Sequence, residues 1–482
     1  MSQTFNLSEF LAANVRPALG CTEVVVIGLA SSAAFLASQG KLPCFLQKKP
    51  EETQALATAS ASEAELLSQL EAVRIEVDRN VFKNALSVNL PMPDELIDQM
   101  EKGIEFAAAL GIFSPLGQKS AGEMLNLFSA INPELIAKAK SLRRNVRFNV
   151  EVVDSWTGQA DLNVRVQLSF KTEDKTKCSE ARISHSHTHF SYIANSMEVL
   201  YKDEANDIAT ENQDNQLLKL SKMSLRDMID TAQNLDSQAW ILLEKNIQIN
   251  TDLSLKGLEG RHGLKLGKSL QKLVDDGILA DDMTNYAKIK VAAAADARMG
   301  GAMRAAMSTA GSGNQGIAAT LPIMAVADRI GAEQLNISAT EQKKRLMSAL
   351  ALSHLLTSYI AYYAGHLSAL CGCAVKAGIG AAAGISFYLG GDEKKITGAI
   401  NNVAANIIGI ICDGAKEGCA LKLATSSEAA VESALLAMQE VTVPLDNGIL
   451  AETVEQTLQN IGKISNAMVK TDQVIVQETM LR

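Results

Sequence analysis

The sequence is poor in aromatic residues. Phe, Trp and Tyr make up only 4% of it, while Gly, Ala and Met are plentiful. A core of small side chains implies close helix packing with few large anchors. Basic residues are also short: 45 Lys and Arg face 54 Asp and Glu, a net charge of −9. That argues against a general nucleic-acid binder, which needs a basic surface to displace counterions. No long run of Leu and Ile is present. The nearest candidate, Leu370 to Gly390, is rich in Ala and Gly and interrupted by Lys376, so it reads as a buried helical hairpin and no membrane span is expected. Met1 to Asn6 lacks a basic segment followed by an apolar one, so no signal peptide is expected. Cysteine is sparse and odd in number, seven in 482 residues, and a chain this long needs no disulfide staples. A reducing, cytoplasmic setting is the simplest reading. With 47% apolar and 21% charged residues, wholesale disorder is excluded.

The length allows about two to four domains. Leu7, Phe10, Leu11 and Val15 recur at helical spacing, and Val24 to Leu36 is an apolar, Ala-rich helix. Between them, Arg16 to Glu23 forms a helix-breaking turn. Period-two alternation then marks strands at Val73, Ile75 and Val77, at Val146 to Val152, and at Leu162 to Phe170. Pro93 to Leu142 between them reads as helical. From Leu217 onward helix follows helix, with Ser224 as an N-cap. The predicted fold class is therefore α+β. Residues 1–200 form a mixed α/β region with an antiparallel sheet, helical over 1–70 and sheet-containing over 71–200. Residues 201–216 form a linker, and 217–482 an all-α domain.

Three groups of residues carry candidate chemistry. Four of the seven cysteines fall into two clusters, Cys371-Gly372-Cys373 and Cys412 with Cys419. A metal centre needs thiolates converging from separate segments, and the neighbouring Gly372, Gly409, Gly414 and Gly418 let the backbone approach a bulky inorganic group. Buried structural cysteines fit the same spacing. Next, Ser308 to Gly316 holds Ser312-Gly313-Asn314-Gln315-Gly316 before an apolar helix, and exposed N–H groups at such a helix start bind phosphate or carboxylate. It is not a P-loop, having no G-x-x-x-x-G-K-[ST] pattern and no preceding strand. Finally, Cys21-Thr22-Glu23 sits at a turn before a helix, where a thiol is acidified and can serve as base or nucleophile, although a plain capping turn explains it too. His185, His187 and His189 would share one face if they lay on a strand. His366 is five residues before Cys371 and can face the same pocket. Lys138, Lys140, Arg143, Arg144 and Arg147 read as a solvated helix end.

Pro17 to Glu23, Asp296 to Gly301, Gly311 to Gly316 and Ile411 to Lys416 together resemble the L-cysteine desulfidase family over nearly the whole chain. The C-terminal half is more distantly similar to the α part of iron–sulfur L-serine dehydratases. Val24 departs from the proline expected after Cys-Thr-Glu, which changes the turn but not the reactive groups. The resemblance implies a [4Fe-4S] cluster held by Cys412, Cys419 and one of Cys371 and Cys373, with Cys371 favoured. It implies Cys21 as proton acceptor and Ser312, Gly313, Asn314, Gln315 and Gly316 as the cradle of the substrate carboxylate. Lys416 and His366 are assigned protonation or neutralisation of the leaving group. The implied activity is a PLP-independent β-elimination that takes L-cysteine to pyruvate, ammonia and hydrogen sulfide.

Competing readings keep the cluster but use L-serine or another small β-substituted amino acid. Others make the protein a non-catalytic ligand or redox sensor, or a helical protein with structural zinc. The expected partner is a small amino-acid substrate, with neither nucleic acid nor membrane; the small-residue bundle is compatible with a homodimer.

Overall fold

The alternation of Val73, Ile75 and Val77 with charged residues builds β1 (Leu70–Val77), in which these three side chains are fully buried. The computed structural model describes residues 5–47, 62–99, 101–114, 116–156, 162–172, 175–203, 216–365 and 367–481. Beside β1 lie β2 (Arg147–Val152) and β3 (Asn163–Lys171), followed by β4 (Thr176–Ser184), β5 (Phe190–Asn195) and β6 (Val199–Lys202). The sheet order is β2-β1-β3-β4-β5-β6. Val73 opposes Leu168 and Ile75 opposes Val166 in the antiparallel β1–β3 pair, and Val166 opposes Ala181 in β3–β4. The sheet is antiparallel except for β1 and β2, which run parallel. That pair cannot be joined by a tight hairpin, and the helical stretch Pro93 to Leu142 supplies the crossover. On the open face Arg165 bridges Glu76 at 3.0 Å and also pairs with Glu180. Helix α1 (Thr22–Ser38) covers the other face and packs against α2 (Ile104–Phe113).

The remaining helices form a second unit that is helical except for the short strand Ala305–Met307, which directly precedes the glycine-rich loop. The expectation of no strand beyond Leu217 or before that loop does not hold, because strand pairing there needs only three residues. Backbone contacts divide the chain into Met1–Ala18 with Asp207–Val474, and Leu19–Asn206 with Ile475–Arg482. The first helix, Leu7–Asn14, thus belongs with the C-terminal unit rather than with the sheet. The expected linker falls largely on 204–215, outside the described residues.

The C-terminal unit contains α3 (Ser237–Leu258), α4 (Met283–Met299), α5 (Gly313–Arg329), α6 (Ala339–Ala364), α7 (Val375–Tyr388), α8 (Glu393–Ile407) and α9 (Cys419–Met438). Helix α7 is wholly buried and packs against α5, α6, α8 and α9. Small residues make this approach feasible: a Cβ on Gly384 would lie 2.7 Å from Ala349 O in α6. The stretch Leu370 to Gly390 is therefore one helix preceded by a turn, not a helical hairpin. No helix among the described residues is long and apolar enough to cross a membrane. Ser224 caps Leu225–Gln233, accepting a hydrogen bond from Asp227 N–H at 3.1 Å.

Candidate functional site

The four clustered cysteines come together because two loop segments pair. Leu370 and Ile411 form an isolated antiparallel bridge. Cys371 N–H donates to Ile410 O at 2.9 Å, and Cys412 N–H donates to Ala369 O at 2.6 Å. Cys373 lies in the turn that opens α7, where Val375 N–H donates to Cys371 O at 2.8 Å. Cys419 begins α9, its N–H donating to Lys416 O at 2.9 Å. The Cys371 and Cys373 sulfurs are 3.4 Å apart. The hydrogen bond from the Cys373 thiol brings Cys371 down to about 7 despite burial, while the same bond and burial push Cys373 up. Burial, with the nearby Cys371 and Cys412 charges, pushes Cys419 up to about 12. All four sulfurs therefore feel one another.

Cations surround the loops. Burial disfavours the ionised Asp413 carboxyl, but hydrogen bonds from Lys416 and Lys422 outweigh it and hold the group at about 2. Lys422 Nζ also donates to Ile411 O at 2.8 Å. Lys376 is fully buried and donates to Gly365 O at 2.7 Å.

The glycine-rich loop meets this cluster directly. Ser312 is the N-cap of α5 but makes no side-chain capping bond, which leaves the first amides of the helix uncapped by a side chain. A Cβ on Gly372 would lie 2.4 Å from Lys376 Cε and 3.3 Å from Gln315 Cδ, so Gln315 and Lys376 pack on the glycine between the two cysteines. Gln315 is 2% exposed, and among the described residues its Oε1 has no hydrogen-bond partner. Arg298 donates to Asn314 Oδ1 at 3.0 Å. Asp296 accepts from Gly267 N–H at 2.9 Å and Leu264 N–H at 3.1 Å; burial outweighs these bonds and raises its carboxyl to about 6.

Cys21 lies in the sheet-bearing unit as the residue preceding α1. Its thiol donates to Glu23 Oε2 at 2.7 Å, and the Thr22 hydroxyl donates to the same oxygen at 3.1 Å. Burial raises the Asp78 carboxyl to about 6, with a further upward push from Glu23.

The structure thus joins the cysteine clusters with Gln315 and the start of α5, and sets Lys416 on Asp413. His366 lies outside the described residues. The three-histidine strand does not exist: residues 185–189 form the β4–β5 turn, with φ of 68° at His185. His189 instead bridges Ser184 O at 2.9 Å and Asp203 Oδ2 at 2.8 Å. Alternation alone cannot distinguish a strand from the hairpin that ends it. Lys376 and Arg298 received no role from the sequence. A single lysine in an Ala- and Gly-rich helix was a visible signal, since burying a cation requires nearby partners.

The chain belongs to the serine dehydratase alpha chain family, whose model matches residues 162–477. The family places it among dehydratases and lyases, as the distant similarity of the C-terminal half implied. Near-full-length relatives share the name UPF0597 protein. One from Clostridioides difficile strain 630 is 34% identical, covering 97% of each chain. One from Desulfotalea psychrophila is 34% identical over 98% of each chain. A third, from Alkaliphilus oremlandii, is 34% identical over 94% of this chain and 93% of its own.

Proposed function

We propose that the protein is an iron–sulfur-dependent, PLP-independent β-eliminating lyase that converts L-cysteine to pyruvate, ammonia and hydrogen sulfide. The observation that carries this reading is the packing of Gln315, at the start of α5, on Gly372 between two cysteines. It sets an anion-binding helix start beside a set of soft thiol ligands.

The donor set suits a cluster. Two paired segments bring Cys371, Cys373 and Cys412 together, Cys419 at the start of α9 joins them, and Lys376 and Lys422 supply positive charge near the Cys371 sulfur. Among the described residues, no three His, Cys, Asp or Glu side chains form a group that could hold a metal ion. Cys371, Cys412 and Cys419 would hold the cluster. Cys371 is preferred over Cys373 because its backbone is pinned to Ile410. When bound, the cluster supplies Lewis acidity.

The chain's own groups supply the rest. The Gly313 to Gly316 amides donate to the substrate carboxylate and stabilise charge that develops there. Cys21 accepts the Cα proton as a thiolate, its own proton having passed to Glu23 Oε2, with which it is hydrogen-bonded at 2.7 Å. Lys416 and His366 protonate or neutralise the departing sulfide. Loss of the Cα proton and the β-sulfur leaves an enamine, which water hydrolyses to pyruvate and ammonia.

The family match favours a second reading in which L-serine is the substrate and water the leaving group. The test is turnover of both amino acids by anaerobically purified protein, following pyruvate, with sulfide for L-cysteine. Faster release from L-cysteine supports the desulfidase reading and faster release from L-serine the dehydratase reading. Release from neither, in protein shown to contain iron and sulfide, overturns both.

A further inference from the structure

Behind the glycine-rich loop lies a buried chain of polar side chains to which the proposed chemistry gives no task. It begins at a donor of unambiguous identity. Met307 N–H donates to Asn250 Oδ1 at 3.0 Å. The Asn250 amide is thereby oriented, and its Nδ2 donates to Asn246 Oδ1 at 2.9 Å. Asn246 is oriented in turn, and its Nδ2 faces His354 Nε2 at 3.0 Å. An amide nitrogen can only donate, so Nε2 is the acceptor and the proton of the neutral ring sits on Nδ1. Nδ1–H then donates to Thr309 Oγ1 at 2.8 Å. Every member of this relay is buried, and burial lowers His354 to about 4, which keeps the ring neutral.

Thr309 opens a strained turn. Thr309 N–H donates to Ser312 O at 3.1 Å, and Ser312 N–H returns a bond to Thr309 O at 3.1 Å. Between them Ala310 and Gly311 have φ of 47° and 78°. The left-handed region is ordinary for glycine but costs about 1 kcal/mol or more for alanine, so it persists only where the surroundings hold it. The turn delivers Ser312 to the start of α5, and Asn250 Nδ2 also reaches Gly316 O at 3.4 Å. The relay therefore holds both ends of the segment whose amides are assigned to the substrate.

We propose that His354 is a positioning residue for the substrate carboxylate: through Nδ1–H and Thr309 it locks the Ala310–Gly311 turn, so that the Gly313 to Gly316 amides converge on one anion. The proposal rests on the reading of that loop as the carboxylate cradle.

The experiment uses anaerobically purified holoenzyme and two readouts: steady-state kinetics with L-cysteine and L-serine, and hydrogen exchange of the 305–316 segment. Thr309→Val removes the hydroxyl at nearly constant shape. It is expected to raise KM by roughly tenfold, the value of one buried hydrogen bond, with kcat little changed and faster exchange in the segment. Thr309→Ser keeps the hydroxyl and is expected to retain the wild-type KM. His354→Asn places an amide donor near the position of Nδ1, whereas His354→Gln places its amide near Nε2. The Asn variant is therefore expected to hold KM better than the Gln variant. Ala310→Gly added to Thr309→Val removes the strain and should recover part of the lost affinity.

Unchanged exchange and KM in Thr309→Val would overturn the proposal. So would equal losses in the Val and Ser variants, or no recovery from Ala310→Gly, since these outcomes describe general support of the fold. If neither amino acid is turned over by the wild type, the lyase reading fails on its own. The exchange comparison then still decides whether His354 holds the turn.

Discussion

The Cys371 and Cys373 sulfur atoms lie 3.4 Å apart in one turn, yet only Cys371 is pinned by a backbone bond to the strand-like segment that carries Cys412. The two cysteines are thus not equivalent as ligands. Cys371→Ser, Cys412→Ser and Cys419→Ser are expected to lose matched iron and acid-labile sulfide. Cys373→Ser should retain most of both. Full retention in Cys371→Ser with loss in Cys373→Ser would reverse the assignment.

The Cys21–Glu23 pair is expected to act in proton transfer and not in holding iron. Cys21→Ser should lower turnover by about 10²-fold or more, the usual range for a lost acid or base. Glu23→Gln keeps the shape but removes the anionic acceptor, and a smaller loss in the same direction is expected. Iron content in both should match the wild type. Wild-type turnover in Cys21→Ser would exclude Cys21 as the base.

Gly316 has no room for a side chain: a Cβ there would lie 1.8 Å from Met307 O. The clash is with backbone, which can yield only by moving the loop or α5. Gly316→Ala is expected to destabilise the protein by roughly 3 kcal/mol, at the upper end of overpacking costs, and to abolish amino-acid binding. Denaturant unfolding measures the first effect and isothermal titration with L-serine the second.

Burial lowers His354 from the ordinary imidazole value of 6.5 to about 4. Between those values the unfolded chain binds more protons than the native one, so this residue's contribution is fully present above pH 6.5 and declines as pH falls toward 4. Between pH 7 and pH 5 it should lose roughly 2 kcal/mol. Asp78 and Asp296, both raised to about 6, act in the opposite sense: their folded forms bind protons more tightly and gain stability as pH falls through 6. The comparison of wild type with His354→Gln isolates the histidine. The variant should show a shallower loss of stability on acidification, and an identical slope would mean that His354 titrates alike in the native and unfolded chain.

Much of this was legible in the sequence where local physics decides. Alternation at Val73 to Val77 and Leu162 to Phe170 marks strands because one face of each is buried. Ser224 gave a cap because its hydroxyl needs only the next turn. The strands Thr176–Ser184 and Phe190–Asn195 were not read, since Ser179, Glu180 and Arg182 break the apolar pattern, and they face ion pairs set by neighbouring strands. The histidine triplet was misplaced because period-two spacing is shared by a strand and by the turn that follows it.

Local spacing was enough to establish the α+β division, the clustering of four cysteines in the C-terminal half and a glycine-rich helix start. All of these follow from short-range spacing and from backbone groups that any chain must satisfy. Folding in three dimensions was needed to show that Gly372 packs on Gln315, that Lys376 is buried beside the cysteines, and that His354 reaches Thr309 from a separate helix. The Thr309–His354 and Gln315–Gly372 contacts join residues 45 and 57 positions apart, and spacing along the chain carries no information about them. They form because buried polar groups must find partners wherever close helix packing brings them.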